Sequence, residues 1–495
     1  MGLRALVFVV GAVTLIAEIA AARLLAPYFG ASTFIWANTI AVVLLALSVG
    51  YWLGGRWADR RPSERDLRTM TLGAAGLLAL LPLLADPFFD LAVKAFDEID
   101  AGAFVASLVG VLVLVAVPLV LLGAVGPWSV RLLMPSVAEA GRTAGRVYAL
   151  STLGSLVGTF LAALVLVPEL GTQRTFVLAA ALLALAAAVT GVSKAALLAP
   201  AAVLALLAIP PGTTRDAGSG ERVLAERETP YQYARVEERE DGERRLILNE
   251  GRAVHSLWRP RSVLTDGVWD GYLVLPFAAR ATPPRSLAML GNAAGTVSRA
   301  YERFFPATRI DGVEIDSDLT EIGRRYFGMD NPRLRTFAED ARPFLAATDR
   351  RYDVIAVDAY RQPYIPFYLV TREFFSLARD RLAPGGTVIV NVGHPPGNDD
   401  LERTLSATMR ASFSTVMRFA IKEASTLLVA SDAPLSPAGI QRAARQDPEL
   451  AALARRASAL TRPALRGGRV FSDDRAPVEW LIDASIVSYA AEAGE

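Results

Sequence analysis

Ala288-Met289-Leu290-Gly291-Asn292-Ala293-Ala294-Gly295-Thr296 is followed, about twenty residues on as in a doubly wound fold, by Asp311-Gly312-Val313-Glu314-Ile315-Asp316. An apolar strand runs into a glycine-containing turn and a helix, and a second strand ends in an acid, which is how such a sheet builds a nucleoside pocket. Gly291 and Gly295 let the backbone pass close to a ligand, and Glu314 stands where a carboxylate accepts from both ribose hydroxyls. The spacing is Gly-x-x-x-Gly-Thr, not the Gly-x-Gly-x-x-Gly of dinucleotide enzymes. An uncharged or cationic tail therefore suits the turn better than a pyrophosphate on the helix N-terminus. That points to S-adenosylmethionine or a relative.

Working outward, strands are expected at 286–290, 309–313, 334–337, 354–357 and 387–392, with helices between them, as in an open parallel sheet. Pro384-Gly385-Gly386 reads as a tight turn into the fifth strand, and 415–421 with 426–430 as an antiparallel edge. Ligands in such sheets bind at the carboxyl ends of the strands. Gly291, Gly295 and Thr296, then Glu314, then Asp340 with Ala341, then Asp358 all fall there. A single acid at a strand end is commonly a loop residue or a helix cap. Three at the ends of successive strands read as a site, with Asp340 placed to accept from an adenine amino group and Asp358 to meet whatever reacts at the sulfonium.

Ahead of this sheet, 273–280 reads as a short helix, and Asp241-Gly242 between two alternating runs is a hairpin signal. A small β domain is expected over 223–285, a Rossmann-like α/β domain of the S-adenosylmethionine-methyltransferase type over 286–495, and a linker over 211–222, opened by Pro210-Pro211-Gly212.

Residues 1–210 are dominated by Leu, Ala, Val and Gly and read as a multi-pass α-helical membrane domain. About seven spans are expected, at 6–25, 34–53, 70–84, 104–125, 147–167, 175–192 and 195–209. The first is too long to be a cleaved signal peptide. Arg56, Arg60, Arg61, Arg65 and Arg68, with Arg131, Arg142 and Arg146, mark two loops as cytoplasmic and put the N-terminus inside. Seven spans would leave the second half outside, whereas an S-adenosylmethionine-type cofactor is cytosolic. A miscount by one and a cytoplasmic domain is the favoured reading. The run to Met134, broken by Pro118 and Pro127, and the last two spans, parted only by Ser193-Lys194, are where the count could slip. Glu18, five positions before Arg23, is either a structural pair or a polar path, and Ser151, Gly154, Ser155 and Gly158 form a small-residue packing face.

Composition excludes several classes. The 495 residues carry no cysteine and only two histidines, His255 and His394, so disulfides, thiolate sites and a histidine-rich metal centre are excluded and no metal is expected. A net charge of +1 and the lack of a basic stripe give no reason to expect nucleic acid.

With these residues in hand, the chain resembles the spermidine synthase family of aminopropyltransferases, in the form fused to an N-terminal multi-pass membrane domain. The resemblance runs from about Glu228 to Val392. It rests on Pro230-Tyr231-Gln232, the glycine turn, Val313-Glu314-Ile315-Asp316, Glu339-Asp340-Ala341, Tyr352-Asp353-Val354-Ile355-Ala356-Val357-Asp358, Thr371-Arg372-Glu373-Phe374-Phe375 and Leu382-Ala383-Pro384-Gly385-Gly386. The stretches Ala22 to Gly30, Gly145-Arg146-Val147-Tyr148-Ala149 and Ser472-Asp473-Asp474-Arg475-Ala476-Pro477-Val478-Glu479 also look like the fused members. The resemblance implies aminopropyl transfer from decarboxylated S-adenosylmethionine to an amine, in the membrane, with a homodimer as one option for the assembly. It implies that Gln232 touches the methionine-derived tail, Glu314 the ribose, Asp340 and Ala341 the adenine, and that Asp358 accepts the proton.

The chain also departs from the family. Asn292-Ala293-Ala294 stands where soluble members carry an aspartate, and Arg361 stands where a second aspartate holds the polyamine. Trp269-Asp270 replaces the family's Tyr-His-Glu region, with Asp270 as a stand-in for the glutamate. Tyr360, Tyr364 and Tyr368 offer faces to a cation beside Arg361. Three readings stay open: an aminopropyltransferase, an S-adenosylmethionine-dependent methyltransferase on the same sheet, and a non-catalytic nucleoside-binding domain on a transporter-like bundle.

Overall fold

The computed structural model describes residues 2–29, 33–97, 102–189, 198–209, 220–249, 253–360, 364–394, 397–422 and 424–482. The chain forms two compact units, one of Met1–Asp216, Arg227–Tyr233 and Asn249–Gly251, the other of Ala217–Glu226, Ala234–Leu248 and Arg252–Glu495.

The first unit is helical: α1 (Leu3–Phe29), α2 (Thr33–Arg60), α3 (Glu64–Asp97), α4 (Gly102–Leu114), α5 (Ala116–Leu133), α6 (Ala140–Leu161), α7 (Val167–Leu170), α8 (Thr172–Ala188) and α9 (Ala199–Ala205). Among the described residues, five stretches are long and apolar enough to cross a membrane, Leu3–Tyr28, Ile35–Arg60, Glu64–Ala85, Ala116–Leu133 and Val137–Leu170. The other apolar helices, Thr172–Ala188 and Ala199–Ala208, are shorter. The stretch expected as one span at 104–125 is two helices that meet at Val115.

Small residues set the helix contacts. A Cβ added at Gly154 or Gly158 would collide with the backbone of Phe8 or Ala12, so α1 and α6 touch backbone to backbone, as small-residue faces allow. Gly50 and Gly54 do the same for α2 against α5. Arg68, expected in the loop between the second and third spans, lies inside α3 and is 1% exposed. It bonds Glu64 at 2.6 Å and donates to the carbonyls of Ala186 and Ala187 in the last turn of α8, at 3.2 and 3.3 Å. There a cation satisfies free helix-end acceptors. The short segment 227–233 belongs with this unit. Arg23 donates to the carbonyls of Thr229 and Pro230, and the Glu228 carboxylate caps α8, accepting from the Thr172 N–H and hydroxyl at 2.7 and 2.6 Å.

The second unit opens on a four-stranded sheet in the order β1 (Glu221–Glu228), β2 (Tyr233–Arg239), β3 (Arg244–Leu248), β4 (Val254–Trp258). The Asp241–Gly242 turn is present: Gly242 has φ +81° and the Asp241 carboxylate accepts from the Glu243 N–H at 3.0 Å. Ala234, Val236, Leu246 and Leu248 pack this sheet onto Ala294, Leu319, Ile322 and Phe327.

Next come α10 (Val268–Val274), β5 (Ser286–Leu290), α11 (Thr296–Phe304), β6 (Arg309–Val313), α12 (Ser317–Tyr326), β7 (Leu334–Phe337), α13 (Ala341–Ala347), β8 (Tyr352–Val357), α14 (Arg372–Asp380), β9 (Leu382–Gly393), α15 (Asp400–Arg410), β10 (Thr415–Lys422), β11 (Ser425–Ser431), α16 (Ala451–Leu460) and β12 (Thr461–Pro463). The sheet order is β12-β10-β11-β9-β8-β5-β6-β7. β5 lies parallel to both β6 and β8, and β11 runs antiparallel to β9. Successive residues of β5 face opposite layers: Ala288 and Leu290 join Phe374, Phe375 and Leu405, while Leu287 and Met289 join Tyr272, Val297 and Tyr301. Burial on both faces explains why these strands read as unbroken apolar runs.

Two local expectations shift. The helix placed at 273–280 begins earlier, at Val268, and tightens into a 3-10 turn over Leu275–Ala278. Pro384-Gly385-Gly386 does not precede the fifth strand but interrupts it. Leu382 already pairs with Tyr352, and the register slips before Thr387 pairs with Val354.

Candidate active site

The strand order reverses between β5 and β8, where open α/β sheets place their ligands, and the glycine turn leaves β5 at that point. Gly291 has φ +86°, and a Cβ there would collide with the carbonyl of Asp358, so only glycine lets the two strand ends meet this closely. The N–H groups of Gly291 and Asn292 both donate to the Val313 carbonyl, at 2.9 and 3.1 Å, which ties the turn to the end of β6. Ala293 adopts φ +43° and Gly295 φ +84°.

Glu314 is buried at the end of β6, 8% exposed. One carboxylate oxygen accepts from the Ala293 N–H at 3.0 Å, the other from the Asp316 N–H at 3.1 Å. Burial pushes its pKa up to about 7, although these N–H groups oppose the rise.

Asp358 ends β8. Its oxygens accept from the Trp269 indole N–H at 3.0 Å and from the Asn391 amide at 2.7 Å. Burial raises its pKa against these two hydrogen bonds. Asn391 is held in turn: its amide oxygen accepts from the Ser425 hydroxyl at 3.1 Å, and its carbonyl from the Tyr360 hydroxyl at 3.0 Å. Tyr360 also accepts from the Gly393 N–H at 2.7 Å. Asp358 is thus fixed from α10 on one side and β9 on the other.

At the end of β7 Asp340 caps α13, accepting from the Arg342 N–H at 3.0 Å. Its second oxygen accepts from the Tyr368 hydroxyl at 2.6 Å. Ala341 is buried beside it.

The remaining candidates are placed differently. Asp270 is buried, and its carboxylate accepts from the Thr265 N–H and hydroxyl and from the Asp266 N–H, each at 2.8 Å, so it braces the start of α10. The side chain from this segment that meets Asp358 is Trp269. Tyr364 is buried in the apolar layer with Ile365 and Leu369. Gln232 is buried in the segment grouped with the helical unit, its carbonyl accepting from the Thr229 N–H at 2.8 Å. Arg361 lies outside the described residues. Asn391 was missed, although a lone amide in the run Val388-Ile389-Val390-Asn391-Val392 is a visible signal.

Among the described residues, one group could hold a metal ion: His394, Asp399 and Glu402, with ligand atoms within 4.8 Å of one another. Arg418 already pairs with the fully buried Glu402 at 2.5 Å, and a guanidinium there opposes a cation.

Residues 273–428 match the family described as "Spermine/spermidine synthase domain". A "Probable polyamine aminopropyl transferase" of Bifidobacterium longum is 35% identical over 192 residues, 38% of this chain and 42% of that protein. The chain thus spans less than half of that relative. A "Polyamine aminopropyltransferase" of Mycobacterium tuberculosis is 28% identical over 386 residues, 68% of this chain and 72% of that protein. Among solved structures, a probable spermidine synthase from Corynebacterium glutamicum aligns over 52% of this chain and 98% of its own, at 19% identity and a TM-score of 0.42. Residues 273–428 therefore match a spermine/spermidine synthase domain, and the chain is a homologue of the polyamine aminopropyltransferases with a helical region ahead of that stretch.

Proposed function

We propose that the chain is a membrane-anchored aminopropyltransferase that moves an aminopropyl group from decarboxylated S-adenosylmethionine to an amine. The observation that carries this reading is Asp358, a half-buried carboxylate held on both oxygens at the switch point, against the glycine turn, with β5 between it and the strand that ends in Glu314.

Glu314 accepts from the ribose hydroxyls, Asp340 with Ala341 meets the adenine, and the Gly291–Gly295 turn gives the backbone room beside the nucleoside. The nitrogen lone pair of the amine attacks the carbon next to the sulfonium. The C–N bond forms as the C–S bond breaks, and the bonding pair goes to sulfur, leaving neutral methylthioadenosine. The nitrogen sheds its proton to Asp358. Each Asp358 oxygen has one donor and so keeps a lone pair for that proton, and burial brings the carboxylate closer in basicity to the ammonium it must relieve. Trp269, Tyr360 and Tyr368 supply aromatic surface suited to a cationic acceptor.

For the anchor, exposed apolar side chains on the helices, such as Leu44 at 59%, Trp52 at 61% and Leu164 at 68%, suit contact with lipid. We count six crossings: α1, α2, α3, the broken pair α4–α5, α6–α7 and α8. The 17 residues of α8 reach about 25 Å at 1.5 Å per residue, near the lower limit for a span. An even count returns the chain to the side of the arginine-rich loops, so the catalytic unit is cytoplasmic.

Calorimetric titration of the detergent-purified full chain with decarboxylated and intact S-adenosylmethionine tests the reading. Tighter binding of the decarboxylated form is expected. Preference for the intact form would move the assignment to methyl transfer, and binding of neither would overturn the nucleoside site.

A further inference from the structure

Ser472-Asp473-Asp474-Arg475 lies beyond the family match at 273–428, yet the Asp473 side chain reaches back to the first turn of α13. The Asp473 carboxylate takes both guanidinium nitrogens of Arg342, at 2.8 and 2.6 Å, and the Thr371 hydroxyl at 2.6 Å. Its N–H donates to Glu373 at 3.0 Å, and Arg372 N–H bonds the Phe471 carbonyl at 2.9 Å. A planar two-point pair of this kind fixes orientation as well as charge. The Arg342 guanidinium holds the Asp473 carboxyl below its usual range.

Arg342 connects that anchor to Asp340 along two routes. Its own N–H bonds one Asp340 oxygen at 3.0 Å, and its guanidinium donates to the Tyr368 carbonyl at 3.1 Å. The Tyr368 hydroxyl bonds the other Asp340 oxygen at 2.6 Å. One oxygen of Asp340 is fixed by the Arg342 backbone N–H, and the other by Tyr368, whose carbonyl takes the guanidinium that Asp473 holds from outside the matched domain.

We propose that Asp473 is a positioning residue for nucleobase recognition: through Arg342 and Tyr368 it fixes the rotamer of the Asp340 carboxylate. This rests on the assignment of Asp340 to the adenine made above. The brace also spans the loop after β8, because Tyr368 belongs to it, so the nucleobase side and the loop that follows Asp358 are held by one carboxylate. Removing the charge with Asp473→Asn leaves the shape but loosens Arg342 and, through it, Tyr368.

The test is calorimetric binding of methylthioadenosine to the full chain and to Asp473→Asn, Tyr368→Phe and the double variant. Asp473→Glu serves as the rescue, and Asp447→Asn as a control that breaks a separate surface pair with Arg303. Hydrogen bonds of this kind are worth about threefold to tenfold in affinity. Each single variant is expected to weaken binding by that factor, the double variant no more than the weaker single one, Asp473→Glu partly to restore it, and Asp447→Asn to leave it unchanged. Wild-type affinity in Asp473→Asn would overturn the brace, as would losses that multiply in the double variant. If Asp473→Asn unfolds, Tyr368→Phe with unchanged affinity overturns it alone. Failure of the wild type itself to bind would instead sink the nucleoside assignment.

Discussion

At the residue scale, two carboxylates share an apolar sheet end but are held by different donors. Glu314 receives only backbone donors, so its charge is weakly supported and burial leaves it with a pKa of about 7 against an ordinary 4.5. A folded pKa above the unfolded one means that the free protein takes up a proton on folding. Its stability contribution is present below the unfolded value and is lost as pH rises through about 7. Accepting from ribose requires the ionised form, so nucleoside affinity should rise with pH and level off above about 7. Calorimetry with methylthioadenosine across that range should show the slope in the wild type and its absence in Glu314→Gln. Asp358 receives side-chain donors from Trp269 and Asn391, which aim it. Asp358→Asn should lower turnover by about 10²- to 10⁴-fold, the usual worth of a general base, with nucleoside affinity largely kept. A loss of binding equal to the loss of rate would contradict that role.

At the scale of elements, the β5 turn carries the arrangement. Gly291 combines φ +86° with contact against the Asp358 carbonyl, so Gly291→Ala must strain the turn and push β5 from β8. A loss of about 1–3 kcal/mol in stability is expected, together with loss of nucleoside binding, read by thermal unfolding with and without ligand. This element was legible in the chain because its signals are local: an apolar run, glycines and an acid at the next strand end. The strands β5, β6 and β7 fall where the apolar runs place them. What was not legible depends on partners far along the chain. The resemblance points to Asp270 rather than Trp269 because an acid stands in for the family's glutamate. Only the fold reveals that Thr265 and Asp266 consume its acceptors, while the neighbouring indole reaches a residue 89 positions away. The Asp340–Tyr368 bond was hidden for the same reason, whereas Asn391 left a local trace as the lone amide of an apolar strand. In the helical unit hydropathy does not register the break at Val115 between α4 and α5, because the residues on both sides are equally apolar.

At the scale of the whole molecule, the helical and α/β units share one chain in which the β1–β2 connection belongs to the helical unit. Six crossings would place the arginine-bearing linker between α2 and α3 on the same side as the α/β unit. The natural absence of cysteine makes this directly measurable, since any introduced thiol is the only one. Pro62→Cys and Arg469→Cys, both at exposed positions, should react with a membrane-impermeant maleimide only from the cytoplasmic face. Labelling from opposite faces would contradict the count.

The central claim is that an amine displaces the aminopropyl carbon from sulfur while Asp358 takes its proton. The measurement that tests it most directly is product analysis by mass spectrometry after incubating the purified full chain with decarboxylated S-adenosylmethionine and a panel of amines, beside Asp358→Asn. Methylthioadenosine and an acceptor one aminopropyl group heavier are expected, both absent with the variant. A methylated acceptor formed from intact S-adenosylmethionine, with no aminopropylated product from the decarboxylated form, would contradict it.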